Sequence, residues 1–334
     1  MQQQQPSTDN FFIQFDDGAA TYYSMDLSNG DVTLKQRISI PGTGYAAGRD
    51  PLDRFIWVAQ QDIAEHDTII TAPPTVNTFA RTADGLFAAS DQRDYQPRID
   101  QIAVEREGKW AYADGAGERR VFSISPVDGH LEGAGRVLPS EEGGGPLTLR
   151  PNKNIFYGYT IRNFLAPNQT TVFVAYAPDN ETGELRPLPN ISLEVGYEVQ
   201  DMAFTSDGNY LLVIDFDPNR HVHLLTVDED GSLREVDAQS PALLPQGLAA
   251  HPKLPIMYYS SLDLGGITAL AVKNGALTKM PRIQVGRQDL SASLLHISSN
   301  GRFLLVQSDQ VYLITLDPQT GAATDIHPVN FSFF

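Results

Sequence analysis

The sequence DMAFTSDGNYLLVI at residues 201–214 holds two short apolar runs on either side of Asp207-Gly208. Asp-Gly is a strong signal for a tight hairpin turn, because glycine adopts positive φ without a Cβ clash. Continuous apolar runs of this length, bounded by turns, are typical of buried strands. The stretch therefore predicts a hairpin of two buried strands.

Turns of this kind recur along the chain as two interleaved series. In the first series a glycine follows Asn, Asp or Thr, and successive members are 44 to 55 residues apart. In the second series the turn lies between two short apolar runs. The first series is Gly30, Gly85, Gly129, Gly183, Gly231, Gly275 and Gly321. The second series is Pro51-Leu52-Asp53, Glu107-Gly108, Asn152-Lys153-Asn154, Asp207-Gly208, Lys253-Leu254-Pro255 and Asn300-Gly301.

Two hairpins in each repeat give four strands in about 48 residues, which is the unit of a β-propeller blade. The turn series predicts an all-β, seven-bladed propeller of four-stranded antiparallel blades in one domain over residues 11–334. Phe11–Phe15 begins as a second strand, and Val329–Phe334 is typical of an innermost strand. We expect the C-terminal strand to complete the first blade and close the ring, because open ends would leave sheet faces unburied. Residues 1–10 are predicted to be a polar disordered tail.

Composition and charge exclude several function classes. The chain has 24 Lys+Arg against 41 Asp+Glu, a formal charge of −17, which repels nucleic-acid phosphates and anionic lipid. There is no Cys, so thiolate metal sites and disulfides are excluded. With no secretory signal and no long apolar run, the sequence predicts a cytoplasmic protein without a nucleic-acid or membrane partner.

The strand and turn phrases resemble those of the seven-bladed lactonase family. The resemblance spans essentially the whole chain, and its segments are VFSISPVDGHL (121–131), FTSDGNYLLV (204–213), HLLTVDEDGSL (223–233) and VYLITLDPQTG (311–321). This family includes propeller-type 6-phosphogluconolactonases and muconate-lactonizing enzymes. The resemblance implies hydrolysis of a sugar or organic-acid lactone at the mouth of the central channel.

One histidine matches a pattern of that family. Family members have a His-Ile step followed by a turn and then an arginine in a late blade, and Leu295-His296-Ile297 is similar to the first half of this pattern. Ser308-Asp309 stands where the arginine would follow. His296 is one ionisable group on an otherwise apolar innermost strand, so it is our candidate general base. A structural histidine held between blades would explain the same placement.

Propellers usually place function at one channel mouth, among the starts of innermost strands and the loops between second and third strands. Arg98 and Arg162 are predicted to bind a carboxylate or phosphate of the substrate, although pairing with nearby acids is the structural alternative. The polar side chains predicted to bind a ligand at the same mouth are Asp100, Asp201, Gln246, Asp263 and Asp309.

Two further groups of residues have the spacing of metal ligands. Asp215 and Asp217 are two residues apart, so in an extended segment their carboxylates share a face and could bind a divalent cation. A solvated Asp-Pro-Asn turn explains the same residues. His221 and His223 have the same spacing on a predicted third strand, where a packed or surface pair is favoured over a metal site. No cofactor is expected to be required, and a divalent cation is a possible addition.

The sequence leaves two functions open. The first is a lactonase-like enzyme that takes a small lactone or anionic metabolite. The second is a non-catalytic propeller that binds a protein partner or a small ligand on its rim, and it is favoured by the missing family arginine.

Overall fold

The computed structural model describes residues 8–9, 13–16, 19–40, 43–61, 74–95, 99–115, 118–138, 146–162, 170–195, 199–215, 222–239, 245–261, 266–286, 294–308 and 310–329. Within these ranges the regular structure is β-strand, with no helix. The described part of the chain accordingly contains no helix that could span a membrane. The predicted all-β class is confirmed.

The strands form one N-terminal sheet and six four-stranded sheets, which we number blades 2 to 7 in chain order. The N-terminal sheet has β1 (Thr8–Asp9), β2 (Ile13–Asp16), β3 (Ala19–Asp26) and β4 (Val32–Ser39). Blade 2 has β5 (Thr43–Arg49), β6 (Phe55–Gln61), β7 (Thr75–Arg81) and β8 (Phe87–Asp94). Blade 3 has β9 (Gln101–Val104), β10 (Trp110–Gly115), β11 (Glu118–Ile124) and β12 (Leu131–Leu138).

The remaining four blades have the same organisation. Blade 4 has β13 (Thr148–Leu149), β14 (Phe156–Arg162), β15 (Thr170–Pro178) and β16 (Leu185–Val195). Blade 5 has β17 (Val199–Phe204), β18 (Tyr210–Asp215), β19 (Val222–Val227) and β20 (Leu233–Gln239). Blade 6 has β21 (Pro245–Ala250), β22 (Ile256–Ser261), β23 (Ile267–Lys273) and β24 (Ala276–Lys279). Blade 7 has β25 (Leu294–Ile297), β26 (Phe303–Gln307), β27 (Val311–Leu316) and β28 (Ala323–Pro328).

Each of the six blades is an antiparallel meander of consecutive strands. First strands of successive blades lie against one another, so closely at Gly48 that an added Cβ would lie 2.5 Å from the Ile102 side chain. Second and third strands are buried, as in the runs at β18 and β19, whereas fourth strands such as β28 are largely exposed. Burial between neighbouring sheets and exposure at the outer strand are the arrangement of a β-propeller.

The N-terminal sheet differs from the other six. Both β2 and β4 pair with β3 at residues 19–22, so they lie on opposite sides of it. At Met25 the partners of β3 are β1 and β4, which places β1 on the same side as β2. The sheet therefore has three strand positions, and Thr8-Asp9, in the segment expected to be a tail, extends one of them.

The described residues thus contain six complete blades rather than the predicted seven. The predicted innermost strand of the first blade lies at Val329–Phe334, and residues 330–334 are outside the described residues. The last blade nevertheless contacts the N-terminal sheet, because Asn300 Nδ2 donates to the Leu27 carbonyl at 2.9 Å. Tyr23 and Met25 also share an apolar cluster with Phe303 and Leu313. Completion of the first blade by the C-terminal strand stays a prediction.

The glycine series explains how neighbouring blades are locked together. All seven glycines have positive φ. Tyr112, Tyr157 and Tyr258 donate their hydroxyl protons to the carbonyls of Gly183, Gly231 and Gly321 in the next blade. Trp57 Nε1 makes the same bond to Gly129. These four turns therefore serve both their own hairpins and the contacts between blades.

The residue at the end of each first strand is buried and polar. The N–H of this residue donates to the carbonyl of the residue that begins or directly precedes the second strand, as Thr205 does to Tyr210. His251 shows why the position is polar, since its Nδ1 accepts from the N–H groups of Lys253 and Leu254. Burial lowers the pKa of His251, so the neutral ring is favoured. The equivalent residues are Asp50, Glu105, Arg150, Thr205, His251 and Ser298.

Candidate functional site

Polar side chains gather at the end of the blades where second strands pass into third strands, which we call the channel mouth. In blade 2, Asn77 Nδ2 donates to Gln60 Oε1 at 2.8 Å, and both residues are buried. In blade 6, Ser260 is fully buried at the equivalent end of its second strand. The polar character predicted for this mouth is present, and in the blades described next it includes charged groups.

Asp114 and Arg119 form a buried ion pair at the mouth end of blade 3. The short connection between β10 and β11 puts these two residues directly opposite each other in the sheet. Arg119 Nε lies 2.5 Å from Asp114 Oδ1, and each side chain is 6% exposed. Burial raises the pKa of Asp114 to about 6, and the Arg119 charge opposes this shift. The channel mouth of blade 3 therefore contains two charged side chains that neutralise each other.

The same ion pair also reaches blade 4. The Arg119 guanidinium lies over the Tyr176 ring, 5.5 Å from its centroid. A cation above an aromatic face is stabilised by the ring quadrupole. Arg119 therefore has a packing role between blades in addition to neutralising Asp114.

Blade 5 has a chain of three ionisable side chains running outward across three strands. His223 Nε2 lies 3.0 Å from Asp215 Oδ2, and His223 Nδ1 lies 2.9 Å from Glu235 Oε2. Asp215 is fully buried and His223 is 5% exposed. Each ring nitrogen of His223 therefore has a carboxylate partner within the blade. The chain connects the channel mouth with the outer strand of the blade.

Asp201 lies on β17, the innermost strand of blade 5, and reaches the next blade. Its Oδ1 accepts from the Met202 N–H at 2.8 Å, and its carboxylate also accepts from the Leu248 N–H of blade 6. Burial raises the pKa of Asp201 to about 6. Unlike Asp114, Asp201 has no cation among the described residues that contributes to this shift. A carboxyl group that titrates near neutral pH has the properties of a general acid or base.

His296 lies on β25, the innermost strand of blade 7, and pairs with Leu305. Leu305 belongs to the cluster that contacts the N-terminal sheet, and directly paired residues share a face. Leu295 and Ile297 pack instead in the cluster between blades 6 and 7, on the other face. The equivalent position in blades 2 to 6 holds Gly48, Ala103, Thr148, Ala203 and Ala249. Among these six blades, only blade 7 places a titratable side chain there.

Other predicted site residues are described in part. The N–H of Asp100, an exposed residue, donates to the Asp114 carbonyl at 2.7 Å. Arg162 ends β14, opposite Thr170, and Gln246 lies in β21, but their side chains are not among those described. Predicted residues that lie outside the described residues are Arg98, Asp217, His221, Asp263 and Asp309.

Of the predicted metal pair only Asp215 is described, because Asp217 lies outside the described residues. Asp215 faces His223, and among the described residues no group of three His, Asp or Glu side chains could hold a metal ion. Asp201 and Asp215 come from adjacent strands but lie on opposite faces of blade 5. Asp201 reaches blade 6. His223, the partner of Asp215, pairs with Val213, which packs against blade 4. The observed contacts of His223 are those of a packed side chain, since it is buried and both ring nitrogens face carboxylates.

Sequence reasoning missed the ion pair of Asp114 with Arg119 and the partners of His223. The signal for the first was present, since a carboxylate and a guanidinium five residues apart flank Gly115-Ala116-Gly117. The second could not be found by spacing, because β20 pairs with β19 through a register shift between Leu224 and Leu225. A bulge of this kind changes which side chains are neighbours.

Known structures resemble this chain over almost its full length. A periplasmic gluconolactonase of Pseudomonas aeruginosa covers 96% of this chain and 95% of its own, with a TM-score of 0.75 at 16% identity. A proposed 6-phosphogluconolactonase of Bacteroides uniformis covers 96% and 97%, with a TM-score of 0.73 at 14% identity. A chain of Kuenenia stuttgartiensis hydrazine synthase covers 96% and 99%, with a TM-score of 0.63 at 14% identity.

These matches establish the fold. The chain is a β-propeller. At identities of this size the likeness does not extend to reaction or substrate, because one fold hosts many functions. No protein-family profile matches the chain, and no curated protein sequence does either.

Proposed function

We propose that this propeller hydrolyses a sugar or organic-acid lactone at the channel mouth. The observation that carries the proposal is the similarity of nearly the whole chain to two propellers named as lactonases. The raised pKa of Asp201, on an innermost strand, supports it, because opening a lactone with water requires a general base.

The proposed reaction needs few groups. Asp201 or His296 accepts a proton from water, and the resulting hydroxide attacks the lactone carbonyl. The tetrahedral intermediate collapses by breaking the ring C–O bond, and the ring oxygen takes the proton back from the same Asp201 or His296, which gives the hydroxy acid and restores the base. Arg98 and Arg162 hold the anionic group of the substrate, and Asp100, Gln246, Asp263 and Asp309 bind its hydroxyls.

A panel of lactones tests the proposal by acid release at constant pH, with and without EDTA. We expect turnover that EDTA leaves unchanged, because the proposed chemistry uses side chains. Loss of turnover in EDTA would instead favour the divalent-cation mechanism at Asp215 and Asp217. His296→Ala distinguishes the two candidate bases, because turnover is lost if His296 is the base and kept if Asp201 is. The matched control is His130→Ala, which removes a histidine of blade 3 that pairs with Asp91 of blade 2.

A second function is favoured by the internal pairing at the mouth. Gln60, Asp114 and Asp215 each have a hydrogen-bonding partner within the protein. Side chains compensated in this way stabilise blade contacts without any substrate. The alternative is a non-catalytic scaffold that binds a protein or small ligand on its rim, and the absence of turnover on every lactone of the panel would favour it.

We also propose that Val329–Phe334 completes the N-terminal sheet as its innermost strand, which would give a seventh blade and close the ring. The three strand positions of that sheet support this, as does Val329, which packs against the apolar cluster shared by blade 7 and the N-terminal sheet. Deleting residues 330–334 should lower the unfolding midpoint in urea. An unchanged midpoint would contradict ring closure by this segment.

A further inference from the structure

Blade 6 has a charge opposite to that of the whole protein. The chain has a formal charge of −17, yet residues 251–286 contain four basic residues and only one acidic residue, Asp263. Lys253, Lys273 and Lys279 are exposed and form no ion pair with other described residues. Exposed lysines without a neutralising carboxylate partner attract anions locally.

A groove opens between blades 6 and 7, and Lys273 lies in its wall. It has a volume of about 350 Å³, which lies within the range of small-molecule sites. Leu254, Ile256, Ala271 and Met280 supply aliphatic surface to its wall, and Lys273 is its one charged lining residue. Gln319 and Thr320, from the turn between β27 and β28, line its other side.

The nearest acid in that turn is already engaged. Asp317 Oδ1 accepts from the Gln319 N–H at 3.0 Å, the Thr320 N–H at 2.7 Å and the Thr320 hydroxyl at 2.8 Å. These bonds lower the pKa of Asp317, with the Thr320 hydroxyl as the largest cause. Its carboxylate is therefore directed to its own turn, and Lys273 supplies the charge at the groove.

The groove lies at the opposite end of the blades from the channel mouth. It is bordered by the first turn of blade 6 and the third-to-fourth strand turn of blade 7. In an antiparallel meander these two turns share one end, and the connection between second and third strands lies at the other. A ligand in the groove would not occupy the proposed lactone site.

We propose that this groove binds amphipathic carboxylates with an aliphatic body, such as medium-chain acyl anions. The chain of the ligand lies on Leu254, Ile256 and Met280, and its carboxylate lies at Lys273 Nζ. The aliphatic lining favours an acyl chain, because burial of its methylene groups removes apolar surface from water. The single lysine favours a monoanion.

Titration calorimetry with octanoate tests the proposal. We expect one octanoate per chain in the wild-type protein and binding weakened at least about tenfold in Lys273→Glu, which removes the charge-assisted contact. Gln319→Trp should weaken binding similarly by filling the groove. Lys35→Glu is the matched control, because Lys35 is an exposed, unpaired lysine on β4 among the described residues, and binding should stay within about twofold.

Three results would overturn the proposal. These are no binding heat with the wild-type protein, equal losses in Lys273→Glu and Lys35→Glu, and equally tight binding of octyltrimethylammonium, which has the same chain and the opposite charge. Because the groove and the channel mouth are at different ends, lactone turnover should be unchanged in Lys273→Glu. The outcome is therefore independent of the proposed hydrolysis.

Discussion

Blades 3 and 5 each use one polar side chain of the innermost strand to contact the next blade, but the side chain is an amide in blade 3 and a carboxyl group in blade 5. Gln101 and Asp201 are equivalent residues of the innermost strands, and each reaches the main chain of the next innermost strand. Gln101 accepts from the Leu147 N–H at 2.6 Å and donates to the Leu147 carbonyl at 3.2 Å. Asp201 accepts from the Leu248 N–H but has no proton to donate when ionised.

The difference shows what the structure requires at this position. A neutral amide joins blades 3 and 4 completely, so a carboxylate is not needed to hold two blades together. Asp201 is ionised only at the cost of desolvation, which is why its pKa is raised to about 6. At this position Asp201 therefore supplies the titratable group that the proposed chemistry at the mouth would use.

In blade 3 a cation, Arg119, pairs with the carboxylate of Asp114. Removing this cation has the largest predicted effect on stability. Arg119→Met should lower the free energy of unfolding at pH 7.5 by about 3–5 kcal/mol, because it leaves Asp114 charged and buried. Below pH 6 the loss should shrink as Asp114 is protonated in the folded state. Urea unfolding at the two pH values measures both.

The control for this variant is Arg120→Met on the same strand. Arg120 pairs with Glu118, whose side chain is 43% exposed, so its loss should cost under about 1 kcal/mol. Equal losses in the two variants would show that the burial of Asp114 is not what makes its partner important.

Asp201→Asn should be more stable than the wild-type protein at pH 7.5, by about 1–2 kcal/mol. The pKa of Asp201 is about 6 in the folded state against an ordinary value of 3.8. Between these values the folded state binds more protons than the unfolded state, so Asp201 lowers stability as pH rises through this window. The gain should be complete above about pH 6 and absent below about pH 4.

Thermal unfolding of both proteins at pH 4 and pH 7.5 measures this gain. Gln101→Glu is the mirror experiment in blade 3, and it should lower stability at pH 7.5. A gain in Asp201→Asn that is the same at both pH values would mean that ionisation of Asp201 is not its source.

The smallest predicted effect concerns the hydrogen bond from a second-strand tyrosine to the turn glycine of the next blade, which blade 3 has and blade 5 lacks. Tyr112 donates to the Gly183 carbonyl at 3.0 Å, whereas Leu212 occupies the equivalent position in blade 5. Tyr112→Phe should cost about 1 kcal/mol of unfolding free energy, because it leaves a buried carbonyl without its donor. Urea unfolding is the measurement.

Tyr210→Phe provides the matching control in blade 5. The Tyr210 hydroxyl donates to no other described residue, so the same change in size should cost under about 0.5 kcal/mol. If both variants lose the same stability, the hydrogen bond to the turn glycine contributes nothing.

The strands were predictable because their signals are local. Tight turns containing glycine bound short apolar runs, and the predicted positive φ is present at every glycine of the first series. The turns of the second series lie between the first and second strands of blades 2 to 7, as Asp207-Gly208 does between β17 and β18. Turn chemistry and burial of a strand depend on neighbouring residues in sequence, which a single chain displays.

The side-chain partners at the mouth were not predictable to the same degree. Asp201 meets Leu248 across a blade boundary, and the sequence gives no pairing signal over that separation. His223 meets Glu235 only because a bulge shifts the register of β19 against β20. Contacts of this kind depend on blade twist and spacing, which local propensity does not encode.

The direct test of the account is the pH dependence of kcat/KM for the lactone that gives the highest turnover. We predict that the rate rises with a midpoint near pH 6, where Asp201 ionises, and that Asp201→Asn lowers it by about 100-fold and removes the midpoint. Gln101→Glu should retain the wild-type profile. An Asp201→Asn protein with the wild-type rate and midpoint would contradict the claim that this carboxyl group performs chemistry.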